Sequence, residues 1–145
     1  SRRDVHDGSG DQGGRSSDPD GGRGGEPTSV AWHRGCHLHR ELGVTDAPGD
    51  LLASVPGCRV VDWPDEERCC GFGGSFSVKL PEVAEAMADQ KLASLPRSDD
   101  GTPVEIVSTD ASCLLHLRAR AEATGVPVRV RHVAEVAAAA LPPPA

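Results

Sequence analysis

Residues 58–63 read Cys58-Arg59-Val60-Val61-Asp62-Trp63, residues 69–76 read Cys69-Cys70-Gly71-Phe72-Gly73-Gly74-Ser75-Phe76, and a helical pattern opens at Pro81. The order is a strand, a cysteine–glycine loop and a helix. Adjacent cysteines do not readily pair with each other, because a disulfide wants Cα atoms about 5.5 Å apart and chain neighbours sit about 3.8 Å apart. Their sulfurs are therefore expected to face something else, and a thiophilic metal centre is the first candidate. Glycine lets the backbone take positive φ and approach a ligand closely. Successive N–H groups in such a turn form a concavity that suits an anionic thiolate-bound centre. The plainer reading is a loop that only turns the chain. Gly71-Phe72-Gly73 also begins like a dinucleotide fingerprint, but Phe76 stands where the third glycine is needed, so that reading fails.

Outward from this stretch, strands and helices alternate. Val30-Ala31-Trp32-His33 is a strand candidate that runs through Arg34-Gly35 into Cys36, and a short helix carrying Leu38 and Leu42 then stops at Gly43. Asp50 to Val55 reads as a helical turn or two. Ala84, Met87, Ala88, Leu92 and Leu95 recur at helical spacing after Pro81. Val104-Glu105-Ile106-Val107 is the third strand, and Ser112 is expected to cap a helix from Cys113 to Ala123 that ends at Gly125. Val128-Arg129-Val130-Arg131 is the fourth strand and His132 to Leu141 the last helix. The expected fold is α/β: a small, mostly parallel sheet of about four strands with helices on both faces.

This topology gives the cysteines their meaning. Cys36, Cys69, Cys70 and Cys113 each follow a predicted strand, and in open α/β sheets ligands bind at that carboxyl edge. Three loops far apart in sequence could bring four sulfurs together. Cys36 and Cys113 would also stand at helix N-termini, where the dipole favours thiolate. Cys58 begins its strand, on the opposite edge, and is expected to act as a small buried hydrophobe. Four thiolates can hold zinc or an iron–sulfur cluster. Structural zinc sites usually use two C-x-x-C knuckles, which are absent here, so a 4Fe–4S cluster is favoured and zinc is the alternative. Its sulfurs would take hydrogen bonds from the amides of Gly71 to Ser75, with Gly73 and Gly74 in that set.

Other polar residues are weighed beside these. His37, His39 and His116 lie near the cysteines and could ligate, although surface or packing roles are commoner. His132 is expected to pack or cap the final helix, and Lys79 either offsets cluster charge or is solvated. Asp110 could offer an oxygen ligand, but a helix cap is its plainer role.

Composition sets the outer bounds. The 145 residues suffice for one domain with a core, and five cysteines cannot all pair within the chain. A net charge of −7, with no Tyr, two Phe and two Trp, argues against nucleic acid as the main partner. No apolar run approaches a membrane span and no signal-peptide pattern is visible, so reduced cysteines in a cytoplasmic protein are expected. Ser1 stands where Met would begin a primary translation product, as in a fragment or a processed chain. Residues 1–29 hold Val5 as their one large apolar side chain and read as a disordered arm or linker, residues 30–140 as the domain, and Pro-rich residues 141–145 as a tail.

Four of these segments together resemble the CCG cysteine-rich domain family, which includes subunits of heterodisulfide reductase, glycolate-oxidising and lactate-utilisation systems. They are Gly35-Cys36-His37-Leu38 through Arg40-Glu41-Leu42-Gly43, the run from Cys69 to Lys79, Asp110-Ala111-Ser112-Cys113-Leu114, and His132-Val133-Ala134-Glu135-Val136. The broad family pattern closes with C-x-x-C, whereas Asp110 stands at the first of those positions here, as in the lactate-utilisation branch. The resemblance implies an iron–sulfur electron-transfer subunit, or a fragment of one, in a complex that oxidises a 2-hydroxy acid, plausibly L-lactate to pyruvate. Its partners would be other iron–sulfur subunits of a lactate- or glycolate-oxidising complex. It also implies a second such repeat, lying outside this chain or supplied by a partner. Two rival classes stay open: a thiol/disulfide redox enzyme of the heterodisulfide reductase type, with Cys69 or Cys70 as nucleophile, and a zinc-stabilised assembly module.

Overall fold

Side-chain alternation along β1 (Thr28–His33) sorts the molecule into two layers around one sheet. Val30 and Trp32 point to one face, where they meet Leu52, Val107, Val133 and Val136; Ala31 points to the other, with Trp63, Ile106, Leu92, Leu114 and Leu117. The structure is a computed structural model that describes residues 28–142. The expected N-terminal arm lies outside the described residues except for Thr28 and Ser29, which already belong to β1; of the expected tail, 143–145 lie outside as well.

The remaining elements are a π-helical turn (His37–Glu41), α1 (Ala47–Ser54), β2 (Cys58–Val61), α2 (Ser75–Lys79), α3 (Pro81–Ala93), β3 (Glu105–Ser108), α4 (Ala111–Thr124), β4 (Val130–His132) and α5 (Val133–Ala139). The four strands form one all-parallel sheet in the order β2-β1-β3-β4. Helices α1 and α5 cover the Trp32 face, and α3 and α4 cover the Ala31 face. Parallel strands need crossovers, so the sheet is buried on both sides, and β3 accordingly reads Glu-Ile-Val-Ser with all four residues buried. Among the described residues no helix is long and apolar enough to cross a membrane.

Element bounds shift for local reasons. The second strand ends at Val61 rather than Trp63, because Pro64 turns the chain and Trp63 drops beneath α3, where its Nε1 donates to Ser94 Oγ at 2.9 Å. The predicted helix after Cys36 is a single π-helical turn. Helix α2, which directly follows Gly74, goes beyond the sequence pattern. Ser112 is not the cap of α4. Asp110 is, its Oδ1 accepting from the amides of Ser112 at 3.0 Å and Cys113 at 3.1 Å. The start of the chain's clearest helix is as expected, with Pro81 in the first turn of α3 and Ala84, Ala88 and Leu92 buried along one stripe.

Candidate metal centre

From β1 the chain crosses to β2 on one side, then returns past β1 to β3 on the other. The carboxyl ends of β1 and β3 therefore flank a topological switch point, the place where doubly wound sheets leave a crevice. Cys36 follows β1 and Cys113 lies three residues into α4, just after β3. The Arg34-Gly35 turn can lie against the start of α4 because Gly35 has no side chain: a Cβ there would stand 3.3 Å from Asp110 Cβ. Cys69 and Cys70 arrive on the loop after β2. Gly71, with φ +91°, turns that loop hard against α3.

The thiols of Cys70 and Cys113 are both buried and their sulfurs stand 2.7 Å apart, unbridged. Cys36 and Cys69 are half-buried and lie outside the close group that Cys70 and Cys113 form with His33. The amide of Gly71 donates to Cys69 Sγ at 3.5 Å, and that of Phe72 to Cys70 Sγ at 3.4 Å. Two of the five amides expected to face sulfur thus do so. Gly73 instead packs on Phe76, and Gly74 precedes α2 with φ +55°. Cys58 starts β2, in register with Thr28 at the far end of the sheet, and packs against the Trp32-face core.

Local fields set the protonation of these thiols. Donation from Cys113 draws the Cys70 pKa down to about 5 against the cost of burial, with further help from His33 and the Phe72 amide. The same contact, then burial, drives the Cys113 pKa up. The pair therefore holds one proton between them across the neutral range. Burial, then the neighbouring Cys69, raises the Cys36 pKa. For Cys36 and Cys113 this overturns the expectation that a helix N-terminus would favour thiolate: burial and a second sulfur outweigh a dipole that acts over one turn.

Two site groups lie outside the sequence reading. His33 is fully buried at the end of β1, and one of its ring nitrogens lies within 4.8 Å of both the Cys70 and Cys113 sulfurs. Neither ring nitrogen has a hydrogen-bond partner. At that range Cys70 and His33 perturb each other's titration. Burial is the main cause of a lowered His33 pKa, which leaves the imidazole neutral. Lys91 is also fully buried. Its Nζ donates to the carbonyls of Asp65 and Glu66 and lies 4.2 Å from the Trp63 ring centroid. Burial brings its pKa down to about 8, opposed by the negative potential of Cys70, Asp65, Cys113 and Cys36. It pins the loop leading to the cysteine pair and carries positive charge toward the thiols. The available signals were alternation for His33, two residues after Ala31, and the buried stripe of α3 for Lys91.

The other histidines stand apart from this pocket. His37 pairs with Glu41 at 2.8 Å on the surface, and His39 lies 4.0 Å from Glu67. His116 contacts the Ala84 carbonyl at 3.2 Å and tilts against Phe72. His132 caps α5 by accepting from the Ala134 amide. Lys79 is exposed at the end of α2.

The close group suits a thiophilic centre: the buried Cys70 and Cys113 thiols, the unpartnered His33 imidazole and two amides aimed at the Cys69 and Cys70 sulfurs. Comparison with known proteins agrees. A family model described as a cysteine-rich domain, CCG, matches residues 30–118. Similar curated proteins are lactate utilization protein A of Exiguobacterium sp., 43% identical over 110 residues, and of Bacillus cytotoxicus, 44% identical over 108 residues. A third is lactate utilization protein A of Bacillus cereus, 44% identical over 110 residues. These matches take in 76%, 74% and 76% of this chain but 44%, 44% and 45% of the relatives. The chain thus spans less than half the length of the curated relatives it matches.

Proposed function

The chain belongs to the CCG cysteine-rich domain family, and from that membership and the thiol pocket we propose that it is an iron–sulfur electron-transfer component of lactate utilisation. In this reading Cys36, Cys69, Cys70 and Cys113 hold a 4Fe–4S cluster. The observation that supports it is the buried Cys70–Cys113 thiol pair beside the β1/β3 switch point, with the Gly71 and Phe72 amides already donating to Cys69 and Cys70. A cluster so held would supply one-electron transfer at a potential tuned by its surroundings. The chain's own residues do the rest. Ala88 and Leu92 of α3 pack in the same buried cluster as Cys70 and Cys113, and Lys91 supplies positive charge to an anionic centre. The proposed setting is a cytoplasmic complex that oxidises L-lactate to pyruvate, working with other iron–sulfur subunits.

A second reading has its own support. A Cys70 thiol titrating near 5, beside a protonated Cys113, is arranged like a nucleophile and its resolving partner in thiol/disulfide exchange. Anaerobic purification followed by iron, sulfide and zinc analysis separates the readings. About four irons and four sulfides per chain supports the cluster, and about one zinc supports a structural site. Metal-free chain with a fast-alkylating thiol supports exchange. Under the cluster reading, Cys70→Ser or Cys113→Ser lowers iron content severely and Cys58→Ser leaves it unchanged. Loss of iron in Cys58→Ser would refute the ligand set.

A further inference from the structure

Resting on the iron–sulfur reading, we infer that His33 donates a hydrogen bond from its imidazole to the Cys70 sulfur and so helps set the reduction potential of the centre. His33 is a positioning residue in this scheme, not a ligand. Its backbone is fixed first. Ser108 stands beside it in register on β3, and Ser108 Oγ donates to the His33 carbonyl at 3.0 Å. Alternation along β1 then turns the ring to the face that carries Cys70 and Cys113.

The ring is fully buried and neither nitrogen is paired. A buried donor left unsatisfied is destabilising, so such a group persists where something completes it. Its surroundings leave few acceptors. Of the charged groups that reach it, Lys91 has no lone pair to offer and is bound to the Asp65 and Glu66 carbonyls. The Oδ1 of Asp110 is taken by Ser112 and Cys113. What the ring does reach is sulfur: one nitrogen lies within 4.8 Å of both the Cys70 and Cys113 sulfurs. A neutral imidazole carries one N–H, and directed at sulfur it becomes the third N–H donor to the thiols, after the Gly71 and Phe72 amides. It would be the one side-chain nitrogen donor to those sulfurs among the described residues. Hydrogen bonds to cluster sulfurs are an established lever on potential. A donor stabilises the more negative, reduced state, so its removal lowers the potential.

The test uses the anaerobically purified, iron-loaded chain as wild type, His33→Phe and His33→Asn, each titrated potentiometrically. His33→Phe is expected to retain iron and to show a lower potential; a tenfold loss in preference for the reduced state reads as a fall of about 59 mV for one electron. His33→Asn, which keeps an N–H near the same place, is expected to recover most of that shift. Pulsed EPR on reduced wild type labelled with 15N-histidine needs no substitution, should His33→Phe fail to fold. It is expected to show one weakly coupled imidazole nitrogen and an exchangeable proton. An unchanged potential in His33→Phe, a strongly coupled nitrogen that marks direct ligation, or no nitrogen coupling at all overturns the inference while leaving the iron–sulfur reading intact. A wild-type chain that takes up no iron overturns both.

Discussion

Gly71 sits where one added methyl group decides whether the cysteine pair can reach the switch point. Its φ is +91°, and a Cβ built there would lie 2.5 Å from the Ala84 carbonyl oxygen and 3.0 Å from Met87 Cβ. Gly71→Ala therefore meets two penalties, about 1–2 kcal/mol for a left-handed backbone and about 1–3 kcal/mol for overpacking against α3. Gly43, with φ +66° and open space around it, incurs the first penalty alone. Urea unfolding of Gly71→Ala and Gly43→Ala should show the larger loss at Gly71, and equal losses would refute the close approach. The same residue scale explains what the sequence revealed and what it hid. Cysteines stand out because their type is rare and their places after strands are informative. His33 and Lys91 belong to types that usually face water, so their places on the strand's buried alternation and the helix's buried stripe are easily passed over. Their roles depend on partners 37 residues or more away for His33, and on the Asp65–Glu66 turn for Lys91, which only the folded chain brings near.

Among the elements, α4 delivers Cys113 and its cap decides how firmly. Asp110 Oδ1 accepts from two amides and from the Ser112 hydroxyl, which makes that oxygen the cap of α4. Asp110→Ala is expected to cost about 1 kcal/mol, with Asp110→Asn nearly neutral. Iron content should be unchanged in Asp110→Asn; a loss there would make Asp110 a ligand after all. Helix α3 yields a pH prediction through Lys91. Its pKa falls from 10.5 in the unfolded chain to about 8 in the folded one, chiefly by burial. Below pH 8 both states hold the proton, and the cost of burying the charge is present in full. Between those values the unfolded chain binds more protons, so stability rises with pH. Measured against Lys91→Met, wild type should gain up to about 3 kcal/mol on going from pH 7.5 to 10.5. A flat difference would show that Lys91 keeps its ordinary pKa. Element identity was largely legible, since apolar periods of two and about 3.6 alternate along the chain. Bounds were less so. Pro64 and Pro127 shorten neighbouring strands, and α2 has too few residues for a period to register.

At the scale of the molecule, the question is whether the thiol pocket builds the fold or merely sits on it. Small zinc domains lack a core of their own and unfold when the metal leaves. This chain is built differently. One face of the sheet buries Ile106, Leu117, Trp63 and Leu114 beneath α3 and α4, and the other buries Trp32, Leu52, Val107 and Val133 beneath α1 and α5. Each such side chain contributes about 1.5–3 kcal/mol of burial free energy, and the second cluster contains no pocket cysteine. Three of the four sulfurs also come from loops at one edge, outside the strands whose register holds the sheet together. The chelated, reduced chain is therefore expected to keep its helical far-UV signal and to unfold in one cooperative transition in urea. Loading the centre should shift that transition to higher urea without changing its slope, since a ligand bound only to the native state adds about 4 kcal/mol at a thousandfold excess over Kd. A broad, non-cooperative melt of the metal-free chain would show instead that the four thiols and their metal form the folding nucleus, with the two apolar layers insufficient without them.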